Sequence, residues 1–210
     1  MTRRKTESGI MDEIRRFTIL IEDCLPANRR RDALITLERL RQNRRVSQWH
    51  HATGFRYWTA RSSHPLSDRS LVRSMGILGF CRESEHRSLL IKPEIESWFP
   101  DLFRHGLPQG YYIDRSERDL RLGLVRVDAG HTSISRIVAR TARLIDRHRR
   151  QIGFRTLMTE KRFDLTWIVA TRRKQIRLGE ALHPLEHSGI CLQVRSNPEL
   201  LHLIAPIQQS

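Results

Sequence analysis

Three pieces of sequence follow one another with almost no spacer: Leu107-Pro-Gln-Gly-Tyr-Tyr-Ile113, Leu122-Gly-Leu-Val-Arg-Val-Asp128, and the basic run from Ser133 to Arg150. The first two read as strands around Tyr111–Ile113 and Leu122–Val127, separated by the charged turn Asp114 to Asp119. The imperfect alternation of the second is what a strand covered on both faces shows. Ala129-Gly130 ends it, and Thr132 or Ser133 caps a helix over about 133–150. On that helix Ile134, Ile137, Val138, Thr141, Leu144, Ile145 and His148 share one half of the wheel. Arg136, Arg140, Arg143, Arg147 and Arg150 follow i, i+4, i+7, i+11, i+14 along the other. Five guanidinium groups in one row, offset only by Asp146, repel one another unless an anion lies alongside. An extended polyanion is one partner for such a row; acids from elsewhere in the fold, or from a second subunit, are the alternative.

Working outward toward the C-terminus, a strand over 165–171 leads into a basic helix over 172–182, then a strand over 189–194 and a short closing helix over 198–204. This alternation predicts an α/β domain with a mixed sheet over 101–210.

Toward the N-terminus the pattern is helical. Residues 1–9 form a polar arm in which Arg3, Arg4 and Lys5 are placed to touch phosphate. Ile14, Phe17, Ile21 and Leu25 then fall on one helical face, so residues 1–28 read as arm plus helix. A second helix over 29–43 turns Ala33, Leu34, Leu37 and Leu40 inward and Arg29, Arg31, Arg39 and Arg41 outward. Val46 to Gly54 reads as a short helix closed by Gly54, with His50-His51 on its polar edge. After a loop through Pro65, Ser67 caps a helix over 67–78 that Gly79 stops. Two strands, Phe80–Glu83 and Arg87–Lys92, enclose the turn Ser84-Glu-His86. A connecting helix over 94–106, broken by Pro100, sets the boundary near residue 100 of a domain spanning 29–100.

Helix, helix, short helix, loop, helix and two-stranded wing, with Leu71-Val-Arg-Ser-Met-Gly-Ile-Leu-Gly-Phe-Cys-Arg82 leading to Leu89-Leu-Ile-Lys-Pro93, resembles a winged helix-turn-helix over residues 29–93. By that resemblance the 67–78 helix reads duplex DNA. Leu71, Val72, Met75 and Leu78 anchor it, while Ser67, Arg69, Ser70, Arg73 and Ser74 face base edges and phosphates. Arg82, His86 and Arg87 at the wing contact backbone or minor groove. The second half, over 107–182, resembles the restriction-endonuclease-like domain of plasmid replication-relaxation proteins. In that family Pro-Asp-Gly precedes a strand like Glu-Val-Asp, a Gly, a Ser or Thr and an Arg/Lys-rich helix. Here those positions read Pro108-Gln109-Gly110, Arg126-Val127-Asp128, Gly130 and Thr132. Gln109 and Arg126 replace two acids and leave Asp128 alone, and a cation at Arg126 repels a divalent metal. The resemblance then implies a fold that holds DNA without cutting it. A slipped alignment that gathers Asp114, Glu117, Asp119 and Asp128 would instead imply a metal-dependent nuclease.

Composition agrees with a nucleic-acid partner. In 210 residues, 38 Lys and Arg against 23 Asp and Glu give a formal charge of +15, and neutralising phosphate is the common use of such an excess. No run approaches the ~20 apolar residues of a membrane span, and no signal peptide is expected, so a cytoplasmic protein without a membrane partner is expected. Cys24, Cys81 and Cys191 have no paired spacing and read as reduced, mostly buried thiols. His183-Pro-Leu-Glu186-His187 spells a zinc-peptidase pattern, but Pro184 and Gly189 bracket a loop where that chemistry needs a long helix. No metal or other cofactor is expected. The expected function is sequence-specific binding of double-stranded DNA in replication, relaxation or transfer of a mobile element, without catalysis. The expected state is a homodimer that works with other proteins of such a complex, and a transcriptional repressor using the same winged helix is a further alternative.

Overall fold

The computed structural model describes residues 2–25, 27–62, 64–116 and 120–204, without the side chains of 2–6, 23, 187 and 188. The chain is of the mixed α and β class and divides into two compact units, 1–75 and 76–210, with one sheet each. The division falls inside a helix rather than near residue 100, and residues 1–28 belong with the first unit.

In the first unit α1 (Thr2–Phe17) is followed by β1 (Leu20–Ile21), a 3-10 turn at Glu22–Cys24, α2 (Arg30–Gln42), β2 (Val46–His50) and β3 (Arg56–Ala60). Arg3, Arg4 and Lys5, expected in an arm, fall in α1. The antiparallel sheet has the order β1-β3-β2. Ile10, Met11 and Ile14 of α1 pack with Ala33, Leu37 and Leu40 of α2 over Leu20, Val46 and Trp58. At the centre the buried carboxylate of Glu22 accepts hydrogen bonds from Trp58 Nε1 at 3.0 Å and Gln48 Nε2 at 3.1 Å.

The segment expected as a short helix over 46–54 is the β2–β3 hairpin. Val46, Trp49, Phe55, Tyr57, Trp58 and Thr59 are residue types that favour strands. Gly54, read as a helix stop, supplies a positive φ of 95° to the hairpin turn, where its N–H donates to His51 O at 2.9 Å. The turn signal was real, but it belonged to a different element.

α3 (Asp68–Arg82) gives its first half to unit 1 and its second half to unit 2. It does not stop at Gly79, and the expected strand at Phe80–Glu83 lies partly in its last turn. A Cβ at Gly76 would stand 2.8 Å from both Val127 methyl groups, and one at Gly79 would stand 3.0 Å from Asn197 Nδ2. Both glycines therefore permit close packing inside a helix.

The second unit continues with β4 (Arg87–Leu89), α4 (Lys92–Trp98), β5 (Tyr111–Asp114), β6 (Arg121–Val127), α5 (Ile134–Arg149), α6 (Ile152–Thr159), β7 (Phe163–Val169), α7 (Arg172–Leu182) and β8 (Cys191–Ser196). A 3-10 turn at Pro198–Leu200 and α8 (Leu201–Ile204) close it. The sheet order is β4-β5-β6-β7-β8. β4, β5 and β6 form an antiparallel meander, whereas β6, β7 and β8 run parallel and so require the helical crossovers α5–α6 and α7. The alternation expected over 101–210 is present. The expected second wing strand is instead β4, the edge of this five-stranded sheet. Among the described residues no helix is long and apolar enough to cross a membrane.

Candidate nucleic-acid interface

α5 carries the clearest charged surface. Ser133 caps it by accepting the Arg136 N–H at 3.3 Å. Ile137, Thr141, Ile145 and His148 are its buried residues, and two polar contacts fix its rotation. Trp167 Nε1 donates to Thr141 Oγ1 at 3.0 Å. The second contact runs through His148, whose Nδ1–H donates to the Leu144 carbonyl at 2.8 Å, leaving Nε2 to accept the Tyr111 hydroxyl at 2.9 Å. Burial holds the His148 pKa below the usual imidazole value, with Arg147 and Arg104 acting in the same sense, so the ring is neutral. With that face docked, Arg136, Arg140, Arg143, Arg147 and Arg150 are all exposed. None has an acidic partner among the described residues; Arg143 Nε reaches only its own helix, at Ala139 O. The pairing of this row with acids of the same chain, one of the two alternatives raised by its sequence, is absent among the described residues.

The first turn of α5 meets that of α7 around an open cavity of about 620 Å³ lined by Thr132, Ser133, Ile134, Ser135, Thr171, Arg173, Lys174 and Arg177. Thr171 caps α7 through Lys174 N at 3.2 Å. The remaining first-turn N–H groups of two helices, with their positive dipole ends, thus edge a space already lined by cations, a setting that suits phosphate oxygens. Lys174 Nζ is engaged by Asp128 Oδ2 at 2.6 Å and Thr132 O at 2.8 Å, so the net charge comes from Arg173 and Arg177.

That contact also decides what Asp128 is doing. It is 2% exposed, and the Lys174 ammonium occupies one of its oxygens. Arg126 lies over the Trp167 ring at 5.9 Å. Asp114 stands at the opposite end of the sheet, because it pairs in register with Arg121 while Asp128 follows Val127; seven strand residues separate them by about 20 Å. Asp114 is ion-paired with Arg87 at 3.0 Å, and its carboxyl is held below the usual range despite burial by bonds from Ser116 and Arg87. Asp114 and Asp128 therefore do not meet; Glu117 and Asp119 lie outside the described residues. Among the described residues no group of three His, Cys, Asp or Glu is arranged to hold a metal. His183 and Glu186 hydrogen-bond each other on an exposed 3-10 turn, and the His187 side chain is outside the description.

The residues expected on the 67–78 helix divide. Ser67, Arg69 and Arg73 are exposed, and Ser70 is half-buried and hydrogen-bonded to Ser67. Ser74 is 7% exposed and bonded to Thr18 Oγ1 at 3.2 Å, so it faces the interior and is withdrawn as a groove contact. Arg82 and His86 are exposed, but no wing carries them. Arg87 is also withdrawn. It sits on β4 with its side chain 12% exposed, pairs with Asp114 and Glu83, donates to Phe80 O at 3.0 Å and covers the Phe80 ring. It is a structural cation.

A second basic surface includes Arg29 and Arg31, which the sequence turns outward but which were not expected to contact DNA. At the start of α2, Arg29, Arg30 and Arg31 are exposed, and Ile35, one turn beyond Arg31, is 58% exposed. Farther along, Arg39 and Arg45 both bind Glu7, and Arg41 binds Glu38 at 2.6 Å. At the N-terminal end Arg29 and Arg31 stay directed to solvent. The β2–β3 turn places His50, Thr53 and Arg56 at the surface of the same unit. The missed signal was the strand-forming composition of 46–60.

Comparisons with protein-family models, with curated proteins and with solved structures return no match.

Proposed function

We propose that this chain binds double-stranded DNA without cutting it. The observation that carries the reading is the exposed row Arg136, Arg140, Arg143 and Arg147, which has no acidic partner among the described residues. A row of guanidinium groups about 16 Å long is relieved of self-repulsion by a phosphate backbone alongside it.

The architecture supports a division of labour. The order α1, β1, turn, α2, β2, β3 with sheet order β1-β3-β2 agrees with a winged helix-turn-helix lying one helix earlier than residues 29–93 implied. In this reading α2 is the recognition helix, its N-terminal Arg29 and Arg31 and the exposed Ile35 meet base edges and thymine methyls, and the β2–β3 hairpin is the wing. The second unit, a helix, an antiparallel meander and a parallel crossover strand, agrees with a restriction-endonuclease-like scaffold. Its one remaining acid of the set, Asp128, is neutralised by Lys174. On its resemblance to plasmid replication-relaxation proteins we propose that the binding serves replication, relaxation or transfer of a mobile element, with other proteins, and, from the symmetry usual in DNA sites, as a homodimer.

Salt-dependent binding to a mixed-sequence duplex tests the row. Arg140→Ala with Arg143→Ala weakens binding to every sequence and flattens the salt slope by roughly two, at ~0.9 per phosphate contact. Unchanged affinity and slope would remove the row from the interface. Arg31→Ala is expected to relax sequence preference instead, by about 1–3 kcal/mol at one position. Supercoiled plasmid with Mg²⁺ or Mn²⁺ stays intact; nicking that Asp128→Ala abolishes would replace this reading with a nuclease.

A further inference from the structure

The arginine row of α5 ends at a second cavity. Its volume is about 770 Å³, within the roughly 300–1,000 Å³ typical of small-ligand sites, and its lining includes Trp98, Asp101, Arg104, Arg150, Gln151 and Ile152. Three features set it apart from an ordinary surface cleft. Trp98 is 51% and Ile152 74% exposed, so an aromatic and an aliphatic side chain stand in solvent at its rim. Gln151 is 6% exposed, yet its Oε1 has no hydrogen-bond partner, although it is the N-cap residue of α6 and its side chain does not cap that helix. An unmatched buried acceptor costs about 1–3 kcal/mol, so a turn of the Gln151 side chain that brings this oxygen to the cavity surface and onto an incoming donor is favoured. Finally, Arg150 is the last member of the row and also lines the cavity. A polyanion followed along the row arrives here.

A flat aromatic surface, an amide oxygen without a donor and flanking guanidinium groups are the parts of a nucleobase site. The base stacks on the ring, its exocyclic amino group donates to the amide, and neighbouring phosphates meet the cations. Asp101 adds a second acceptor and repels phosphate, which favours the base edge on that side. Gly153 shapes the cavity, since a Cβ there would lie 2.5 Å from Leu102 Cδ2. We propose that this cavity receives an unpaired nucleobase, extruded from or overhanging the duplex whose backbone follows the arginine row. The inference rests on the nucleic-acid reading of that row, and an unpaired base is required because a stacked, paired one exposes neither face.

The test uses the full-length protein and three probes of equal length: a blunt duplex, the same duplex with a short single-stranded overhang, and a duplex with one bulged base. The overhang and bulge probes are expected to bind about tenfold more tightly than the blunt duplex and to quench tryptophan emission. Trp98→Ala and Gln151→Leu each remove that preference and leave blunt-duplex affinity unchanged. Because Trp98 is exposed, its variant keeps the wild-type melting temperature. Equal affinity for all three probes, or a preference that survives both substitutions, overturns the proposal. Failure to bind the blunt duplex while the overhang still binds would overturn the duplex reading and leave the base site standing. Self-association lost in Trp98→Ala, with no preference among probes, would assign the cavity to a protein contact and overturn the base site.

Discussion

α5 and α3 both place arginines on solvent, yet only α5 presents a surface. In α5 the buried residues Ile137, Thr141, Ile145 and His148 form a single stripe, and the opposite side is continuous arginine. In α3 burial extends most of the way round: Leu71, Val72, Ser74, Ile77, Leu78, Phe80 and Cys81 are all buried, leaving Arg69, Arg73 and Arg82 as isolated exposed positions. A helix apolar on nearly every side is a core element. α5 holds five arginines and α3 three, but it is the width of the apolar face that decides whether they make an interface.

The sharpest way to break this comparison is to widen α3 at its tightest contact. Gly76→Leu puts a branched side chain where a single carbon already lies 2.8 Å from the Val127 methyl groups. Overpacking of this kind costs typically 1–3 kcal/mol and occasionally more; about 3 kcal/mol is expected here, read as a lower urea midpoint with unchanged slope. Wild-type stability would show that α3 is a surface helix after all.

A subtler change acts on the inner side of α5. The folded-state pKa of His148 is lowered by burial, with the Leu144 carbonyl bond opposing and Arg147 and Arg104 adding to it. As pH falls below the unfolded value of ~6.5, the unfolded chain takes up the proton first, so stability is complete above that pH and declines below it. The slope is at most about 1.4 kcal/mol per pH unit. Unfolding free energies at pH 7.5 and 5.5 should therefore differ more in the wild type than in His148→Gln, by at most about 1.4 kcal/mol. Equal differences would mean that folding leaves the proton affinity of the ring unchanged.

The legibility of the sequence followed the same contrast. α5, α7, β5, β6 and β7 were visible because each has one dominant environment: a single apolar stripe, or burial on both faces, as in β7, where Phe163 to Val169 are all buried. The first unit was misread where one local signal serves several structures. Gly54 terminates a helix or turns a hairpin equally well, and Gly79 was taken as a stop when its role depends on Asn197, more than a hundred residues away in sequence. Arg87 was read as a wing residue because its partner Asp114 becomes visible only once β4 pairs with β5. The cavity residues Trp98 and Gln151 carry no sequence motif; they matter through an exposed ring and an unmatched oxygen, which only packing reveals.

The smallest expected effect concerns the arginines left on α3. If α2 and the β2–β3 hairpin are the reading elements of the first unit, Arg69 and Arg73 are solvated positions away from the bases. Removing both should then alter stability by no more than about 0.5 kcal/mol, as for other surface substitutions, and leave sequence preference intact in a competition between related duplexes. Affinity is expected to fall slightly and equally for every sequence, since two positive charges leave the long-range field. Relaxed discrimination in Arg69→Ala with Arg73→Ala, at constant discrimination in Arg31→Ala, would return the reading role to α3 and make its two exposed arginines the part of the helix that sequence had rightly singled out.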